Sequence, residues 1–99
     1  MNKPSSRTKK RYISFEVISE QKVFKDEIKD SIYNKTLEFL GEEGLSKLGI
    51  QLVNENILRV DRNHKNEMII ILSMIRKINN KRVFFNTLKT SGNLIKVKK

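Results

Sequence analysis

Residues 61–67 read DRNHKNE and gather side chains suited to binding an anion. Asn63 is a good N-cap and predicts that a helix begins here. Arg62, His64 and Lys65 surround that start. The free amides and the dipole of a helix N-terminus also favour negative charge. The segment therefore indicates a phosphate-binding site, and an ordinary helix start with exposed cations is the alternative.

Residues 89–93, KTSGN, form a second candidate anion site. Small polar side chains follow Lys89, and Gly92 would permit a positive φ that lets backbone amides approach a phosphate. A plain polar turn fits the same residues, so both interpretations stay open.

Catalytic and metal chemistry find little support in the sequence. His64 is the only histidine, and the chain has no cysteine to serve as a further ligand. The spacing pairs no nucleophile with a base. We therefore predict no catalytic residue and no metal site.

The net charge of +10 is concentrated at the two ends of the 99-residue chain. Residues 1–11 carry five basic and no acidic side chains, and residues 81–99 carry six basic and no acidic ones, whereas residues 12–80 are nearly balanced. Cations that neutralise phosphates release condensed counterions, so such ends favour a polyanion partner. We interpret that partner as nucleic acid; an anionic protein or surface and simple solubility are the alternatives.

Length and composition indicate one small α+β domain. The charged fraction of 32% and the hydrophobic fraction of 37% are typical of a globular chain. Ser14 and Glu16 interrupt the apolar stretch that a secretory signal would need. The longest apolar run, MIIIL, is far shorter than the ~20 residues of a membrane span. We expect a cytoplasmic protein.

The hydrophobic pattern predicts the order βαββαβ. We expect strands over 11–18, 48–54, 57–62 and 82–89, and helices over 24–40 and 64–79. The glycines of GEEG, residues 41–44, should end the first helix. Residues 1–10 are expected to be a flexible basic arm, and residues 11–97 one RRM-like domain with a basic C-terminal tail.

Two βαβ halves of this length predict a ferredoxin-like, RRM-like sandwich, with an antiparallel sheet in the order 4-1-3-2 and both helices on one face. In that topology, the start of the first strand, the ends of the third and fourth strands and the start of the second helix meet at one pole. The cations expected there are Arg11, Arg62, His64, Lys65 and Lys89, with both basic tails, the first ending in Lys9 and Lys10, beside them.

Two further surfaces follow from this arrangement. Lys81 and Arg82, near Arg76 and Lys77, should lie at the opposite pole, as a weaker phosphate contact or as solvated charge. The helices carry more apolar residues than are needed to cover one face of the sheet. We expect these extra residues to form a surface for a protein partner, unless they are buried by packing of one helix against the other. These residues are Tyr33, Leu37, Ile69, Ile70 and Met74.

The open face of the predicted sheet lacks the aromatic pattern of an RNA-recognition motif. The third strand, ILRVDRN, has no aromatic residue, and the first strand offers only Tyr12, with Glu16 placed to repel phosphate. We therefore expect recognition of shape and backbone by cations rather than base stacking on these strands.

Four stretches together resemble archaeal ribonuclease P protein component 2: KRYISFEVISE, FLGEEGLSKLGIQL, ILRVDRNHK and INNKRVFFNTLKTSGNLI. The resemblance spans about residues 10–97. It implies an RRM-like ferredoxin fold in the ribonucleoprotein that removes 5′ leaders from precursor tRNA. It further implies pairing with protein component 3, often as a two-plus-two heterotetramer. Catalysis would belong to the RNA and its magnesium ions, with no cofactor bound by this chain.

The resemblance also implies RNA-contacting positions, which are Arg59, His64, Lys65, Lys81, Arg82, Ser91 and Gly92. Two residues depart from the family pattern. Asn80 stands where glycine is usual, a change that asparagine tolerates in the left-handed region. Asn93 stands where threonine is common, which weakens the case for a hydroxyl contact there.

These observations predict a noncatalytic RNA-binding subunit of ribonuclease P that assists the catalytic RNA. One alternative is an ACT-type regulatory domain, which shares the βαββαβ order but leaves the basic ends unexplained. The other is a free-standing RRM-like binder of single-stranded RNA, against which the missing aromatics argue.

Overall fold

The computed structural model describes residues 10–92. Its elements are β1 (Lys10–Ser19), α1 (Lys25–Leu48), β2 (Gln51–Asn54), β3 (Ile57–Asp61), α2 (Lys65–Met74), β4 (Lys77–Ile78) and β5 (Lys81–Ser91). The predicted arm up to Lys9 and the tail after Gly92 lie outside the described residues. Neither α1 nor α2 is long and apolar enough to cross a membrane.

The strands form an antiparallel sheet in the order β2-β3-β1-β5-β4. Strand β1 lies between β3 and β5, with Ile13 opposite Leu58 and Val17 opposite Phe85. The prediction of four strands was wrong, because the chain after α2 enters the short strand β4 before β5. Within residues 10–92 the sheet is therefore one strand wider than expected.

The second helix ends five residues earlier than predicted. Asn79 and Asn80 both have positive φ, 50° and 68°, as a type I′ hairpin turn requires. The αL conformation expected to be tolerated at Asn80 is confirmed. This turn pairs β4 with β5, so the last stretch of the predicted helix is extended. The helical spacing predicts that Ile75 and Ile78 face the core, and both are buried even though neither is in the helix.

Helix α1 continues past the glycines that were expected to end it. Gly41 has φ 75° and ψ −179°, so the helix is kinked there but resumes to Leu48. It ends at Gly49, which adopts the left-handed conformation and donates its N–H to the Ser46 carbonyl at 3.3 Å. Leu48, expected in a strand, is the last helical residue and is buried.

One face of the sheet and both helices share a single core. The alternation predicted for the first and third strands is confirmed, and the buried residues of the central strands are Ile13, Phe15, Leu58, Val60, Val83 and Phe85. The helices contribute Ile28, Ile32, Met68, Ile71 and Leu72. The rings of Phe15 and Phe85 stack with centroids 5.6 Å apart. The opposite, open face of the sheet is not covered by α1 or α2.

Candidate nucleic-acid interface

Strand register brings charges that are distant in sequence to one end of the sheet. Lys10 lies opposite Asp61 in β3, and Tyr12 lies opposite Ser91 in β5. Helix α2 begins four residues after Asp61, so its N-terminus is at the same end. We call this end the basic pole and define it by Lys10, Arg11, Arg62, His64, Lys65 and Lys89.

The entry to α2 is built differently from the prediction. Asp61, only 8% exposed, accepts the N–H of Asn63 at 3.0 Å and caps a short 3₁₀ turn over 62–64. Asn63 is therefore not the N-cap of α2; that position is His64, which makes no capping hydrogen bond through its side chain. No side chain therefore caps the first turn of α2, but the Lys65 N–H already donates to the Arg62 carbonyl within the 3₁₀ turn, so an anion would have to bind the amides that follow it.

His64 differs from its cationic neighbours because it already has a carboxylate partner. Its Nδ1 lies 2.5 Å from Oε1 of Glu67, one turn along the helix. Arg62 is exposed and Lys65 is half-buried, and neither makes an ion pair with a carboxylate of residues 10–92. The charge available to an anion at this helix start therefore comes from Arg62 and Lys65.

Arg11 and Gly92 fit together at the same pole. A Cβ at Gly92 would lie 2.6 Å from Nη1 of Arg11, which donates a hydrogen bond to the Lys10 carbonyl at 3.3 Å. Of the two interpretations left open for KTSGN, the one with a positive φ at Gly92 does not hold, because positive φ occurs at Gly41 and Gly49 but not at Gly92; Asn93 lies outside the described residues. Residues 89–91 instead extend β5. Gly92 provides space for the Arg11 guanidinium rather than an unusual backbone conformation.

Arg59 lies beside the basic pole, near the middle of β3. It stands opposite Tyr12 on one side and Gln51 on the other. Its Nε is buried and makes no hydrogen bond in the part of the chain that the structure describes. A buried donor without an acceptor lowers the stability of the fold. An acceptor on a bound ligand would therefore be favourable beside Arg59 Nε.

Lys81 and Arg82, at the other end of β5, have different surroundings. Lys81 donates to the Glu27 carboxylate at 3.0 Å and to the Lys22 carbonyl at 2.8 Å, and it lies over the ring of Phe24. Arg82 is exposed and has no carboxylate partner within residues 10–92. Only Arg82 of this pair is therefore available to an outside anion.

Glu27 is the centre of the contact that holds Lys81. Its carboxylate accepts the Phe24 N–H at 2.9 Å and the Asn79 side-chain amide at 2.9 Å. These hydrogen bonds, Phe24 first, then Asn79 and Lys81, lower the pKa of Glu27 from 4.5 to about 2. Through its hydrogen bonds with Asn79 and Lys81, Glu27 connects the start of α1 to the β4–β5 turn.

The open face carries an exposed aromatic ring that was not among the predicted contacts. Phe84 is 48% exposed and lies opposite Ile18 of β1, which is 51% exposed. The Arg76 guanidinium lies 6.0 Å from the ring centroid. The signal was present in the sequence, because Val83 and Phe85 inside require Phe84 to point outward.

The residues proposed for a protein partner divide into two groups. Leu37, Ile70 and Met74 are exposed by 38–54%. Tyr33 and Ile69 instead pack against the core, and the Tyr33 hydroxyl donates to the Ile50 carbonyl at 2.8 Å. The helical spacing also predicted one apolar stripe that joins Phe24 and Phe39 to Ile28 and Ile32; this was wrong for the two phenylalanines, which are exposed, whereas both isoleucines are buried.

This chain is similar in sequence to a family of known proteins. The model of the Rpp14/Pop5 family matches residues 11–99. Ribonuclease P protein component 2 of Pyrococcus furiosus is 39% identical over 97% of this chain and 85% of its own length. The protein of the same name from Methanocaldococcus jannaschii is 32% identical over 96% of this chain and 74% of its own length.

A similar fold occurs in a solved structure. A chain of the cryo-EM structure of yeast ribonuclease MRP superposes with a TM-score of 0.67, covering 90% of this chain and 78% of that one. The sequence identity is 12%, so this likeness concerns the fold alone.

Proposed function

This chain belongs to the Rpp14/Pop5 family, and from that membership we propose that it is a noncatalytic, RNA-binding protein subunit of ribonuclease P. The observation that carries the RNA-binding role is the register of β1, β3 and β5, which gathers the basic pole from three separate parts of the chain. The name that these relatives share, ribonuclease P protein component 2, supports the choice of ribonucleoprotein.

The proposed mechanism is neutralisation of phosphates on a folded RNA. The side chains of Arg62 and Lys65, with the amides that follow Lys65 in the first turn of α2, form one phosphate contact, and Arg11 above Gly92 forms another. Such contacts release counterions and read no base edges. Catalysis in this proposal belongs to the RNA and its magnesium ions, and the protein lowers the magnesium concentration that the RNA needs by neutralising crowded phosphates.

We propose ribonuclease P protein component 3 as the protein partner, in a two-plus-two heterotetramer. Exposed Leu37, Ile70 and Met74 offer the apolar surface for it. We also assign the sandwich to the ferredoxin-like class, with β5, β1, β3 and β2 as its four strands and β4 as an addition. A cytoplasmic location completes the proposal.

The experiment that tests this function is cleavage of precursor tRNA by the cognate ribonuclease P RNA at low magnesium, with component 3 present and this chain added or omitted. The expected result is cleavage that depends on this chain and falls with the double variant Arg62→Ala/Lys65→Ala. Cleavage that is equally fast without the chain would refute the cofactor role, provided that gel filtration shows both proteins folded.

The same assay separates the alternatives. A free-standing binder of single strands would bind unstructured RNA without accelerating cleavage. An ACT-type domain would bind neither unstructured RNA nor the ribonuclease P RNA. Its oligomeric state would instead change when a small ligand binds.

A further inference from the structure

The open face of the sheet carries a second group of side chains suited to RNA, at the end remote from the basic pole. Phe84 and Ile18 lie side by side there, each about half exposed. Arg82 is two residues before Phe84 on the same strand and therefore points to the same face. Arg76 approaches the ring from the segment between α2 and β4.

The backbone fixes Arg76 beside this ring. The Val83 N–H donates to the Arg76 carbonyl at 3.0 Å, which continues the pairing of β4 with β5 by one residue. The Arg76 side chain also donates from Nε to the Ser73 carbonyl at 3.4 Å. Ring and guanidinium are thus held near each other before any ligand binds.

A depression of about 520 Å³ lies over this group. Its lining residues are Ile18, Ser19, Glu20, Arg76, Arg82, Val83 and Phe84. Neither arginine has a carboxylate partner within residues 10–92, and Glu20 is the one acidic side chain in the lining. The depression therefore combines an aromatic face with a surplus of positive charge.

The size of the apolar surface favours a nucleotide over a protein. An aromatic side chain offers about 150–250 Å², so a half-exposed Phe84 and its neighbour Ile18 present far less than the roughly 450 Å² of apolar surface that each partner contributes to a stable protein interface. The next exposed apolar residue on β5, Leu88, is separated from them by the polar pair Asn86 and Glu16, joined by a 3.0 Å hydrogen bond.

We propose that Phe84 stacks on one unpaired base of an RNA, while Arg82 and Arg76 bind the phosphates on either side of it. The inference rests on the proposed function only in taking RNA as the ligand. Base stacking on an exposed ring and phosphate binding by arginine are the usual means by which proteins hold single-stranded RNA. Glu20 opposes the phosphates, so its charge lowers the affinity of this site.

The test uses the full chain and a fluorescent ten-nucleotide adenosine RNA, with affinity measured by anisotropy. Phe84→Leu keeps an apolar side chain but removes the ring, and it should weaken binding by about fivefold or more, since stacking of a base on a protein ring contributes at least that much. The matched control is Phe39→Leu, because Phe39 is 49% exposed and lies 5.9 Å from Lys35 but belongs to α1. That control should bind like the wild type.

Two further measurements identify the chemistry. An RNA with abasic residues should bind the wild type more weakly than the adenosine RNA, and Phe84→Leu should not distinguish the two. Arg82→Ala should make the slope of log affinity against log salt less steep by about 0.7, whereas Phe84→Leu should leave that slope unchanged. Glu20→Gln should tighten RNA binding.

The outcomes separate this inference from the proposed function. If Phe84→Leu and Phe39→Leu bind the RNA equally well, while substitutions at the basic pole still weaken binding, the stacking site is refuted and the proposed function stands. If Phe84→Leu leaves RNA affinity intact but weakens association with component 3, the surface binds protein and the inference is overturned. A folded wild type that binds no RNA would overturn both.

Discussion

The phosphate contact at the start of α2 can be tested with a pair of lysines in matched positions. Lys65 is the first residue of α2, and Lys25 is the first residue of α1. Each change to alanine removes one positive charge from the first turn of a helix. A cation there opposes the helix dipole, so each substitution should leave stability unchanged or raise it by about 0.3–1 kcal/mol. Neither variant is expected to lose RNA binding through unfolding.

The expected difference between the two variants lies in the salt dependence of RNA binding. Each lost phosphate contact should make the negative slope of log affinity against log salt less steep by about 0.7–0.9. Between 50 and 200 mM salt, the affinity ratio of wild type to Lys65→Ala should therefore shrink by about threefold. Lys25 lies away from the basic pole, so Lys25→Ala should leave the slope as it is.

The assay is an anisotropy titration of labelled ribonuclease P RNA at four or more salt concentrations for the wild type and both variants. Equal slopes for all three proteins would refute the phosphate contact at α2. Equal reductions in both variants would mean that total charge, rather than position, governs binding, and would refute the basic pole as a localised site.

Three other predictions follow from particular contacts. Gly92→Ala should displace the Arg11 guanidinium and weaken RNA binding in the same titration, with an unchanged circular dichroism spectrum because the φ of Gly92 is not positive. Glu27 has a pKa lowered to about 2, so its charge stabilises the fold above about pH 4.5, and this contribution is lost as the pH falls toward 2. In urea unfolding, Glu27→Gln should be less stable than the wild type at pH 7. The difference in stability between the two proteins should disappear between pH 4.5 and pH 2. Tyr33→Phe removes the hydrogen bond to the Ile50 carbonyl and should cost about 0.5–1.5 kcal/mol in thermal unfolding while leaving RNA affinity unchanged.

The sequence predicted those parts of the fold that depend on alternation. Ile13 and Phe15 point inward as expected, and Leu58 and Val60 do so on β3. The end of α2 was missed because Ile75 and Ile78 continue a helical spacing, and burial alone does not distinguish a helix from a strand. The decisive signal was the Asn79–Asn80 pair, whose tolerance of positive φ favours a hairpin turn.

The first helix was misjudged for a related reason. Glycine often ends helices, but Gly41 only kinks α1, since the chain resumes the helix and buries Leu48 against the core. The end comes at Gly49, where the left-handed conformation allows the chain to turn into β2. Leu45 and Leu48 both lie beyond Gly41 and pack against the core, so burial of apolar surface favours a helix that continues to Gly49.

The candidate site was predictable in position but not in detail. Topology placed Arg11, Arg62 and Lys65 at one pole, and the observed register agrees with that placement. A count of charges, however, treats Lys81 and Arg82 alike. Only the fold shows that Glu27 holds Lys81, because these residues are distant in sequence and meet through the β4–β5 turn.

The open face explains why the two proposed RNA contacts should act separately. A strand of RNA that ran along β5 from Phe84 to the basic pole would pass Glu16, whose carboxylate is held on that face by Asn86. A fixed negative charge in this position repels the phosphates of a continuous track. The basic pole and the ring of Phe84 are therefore suited to different segments of one folded RNA, a phosphate-rich turn at one end of the sheet and a single unpaired base at the other.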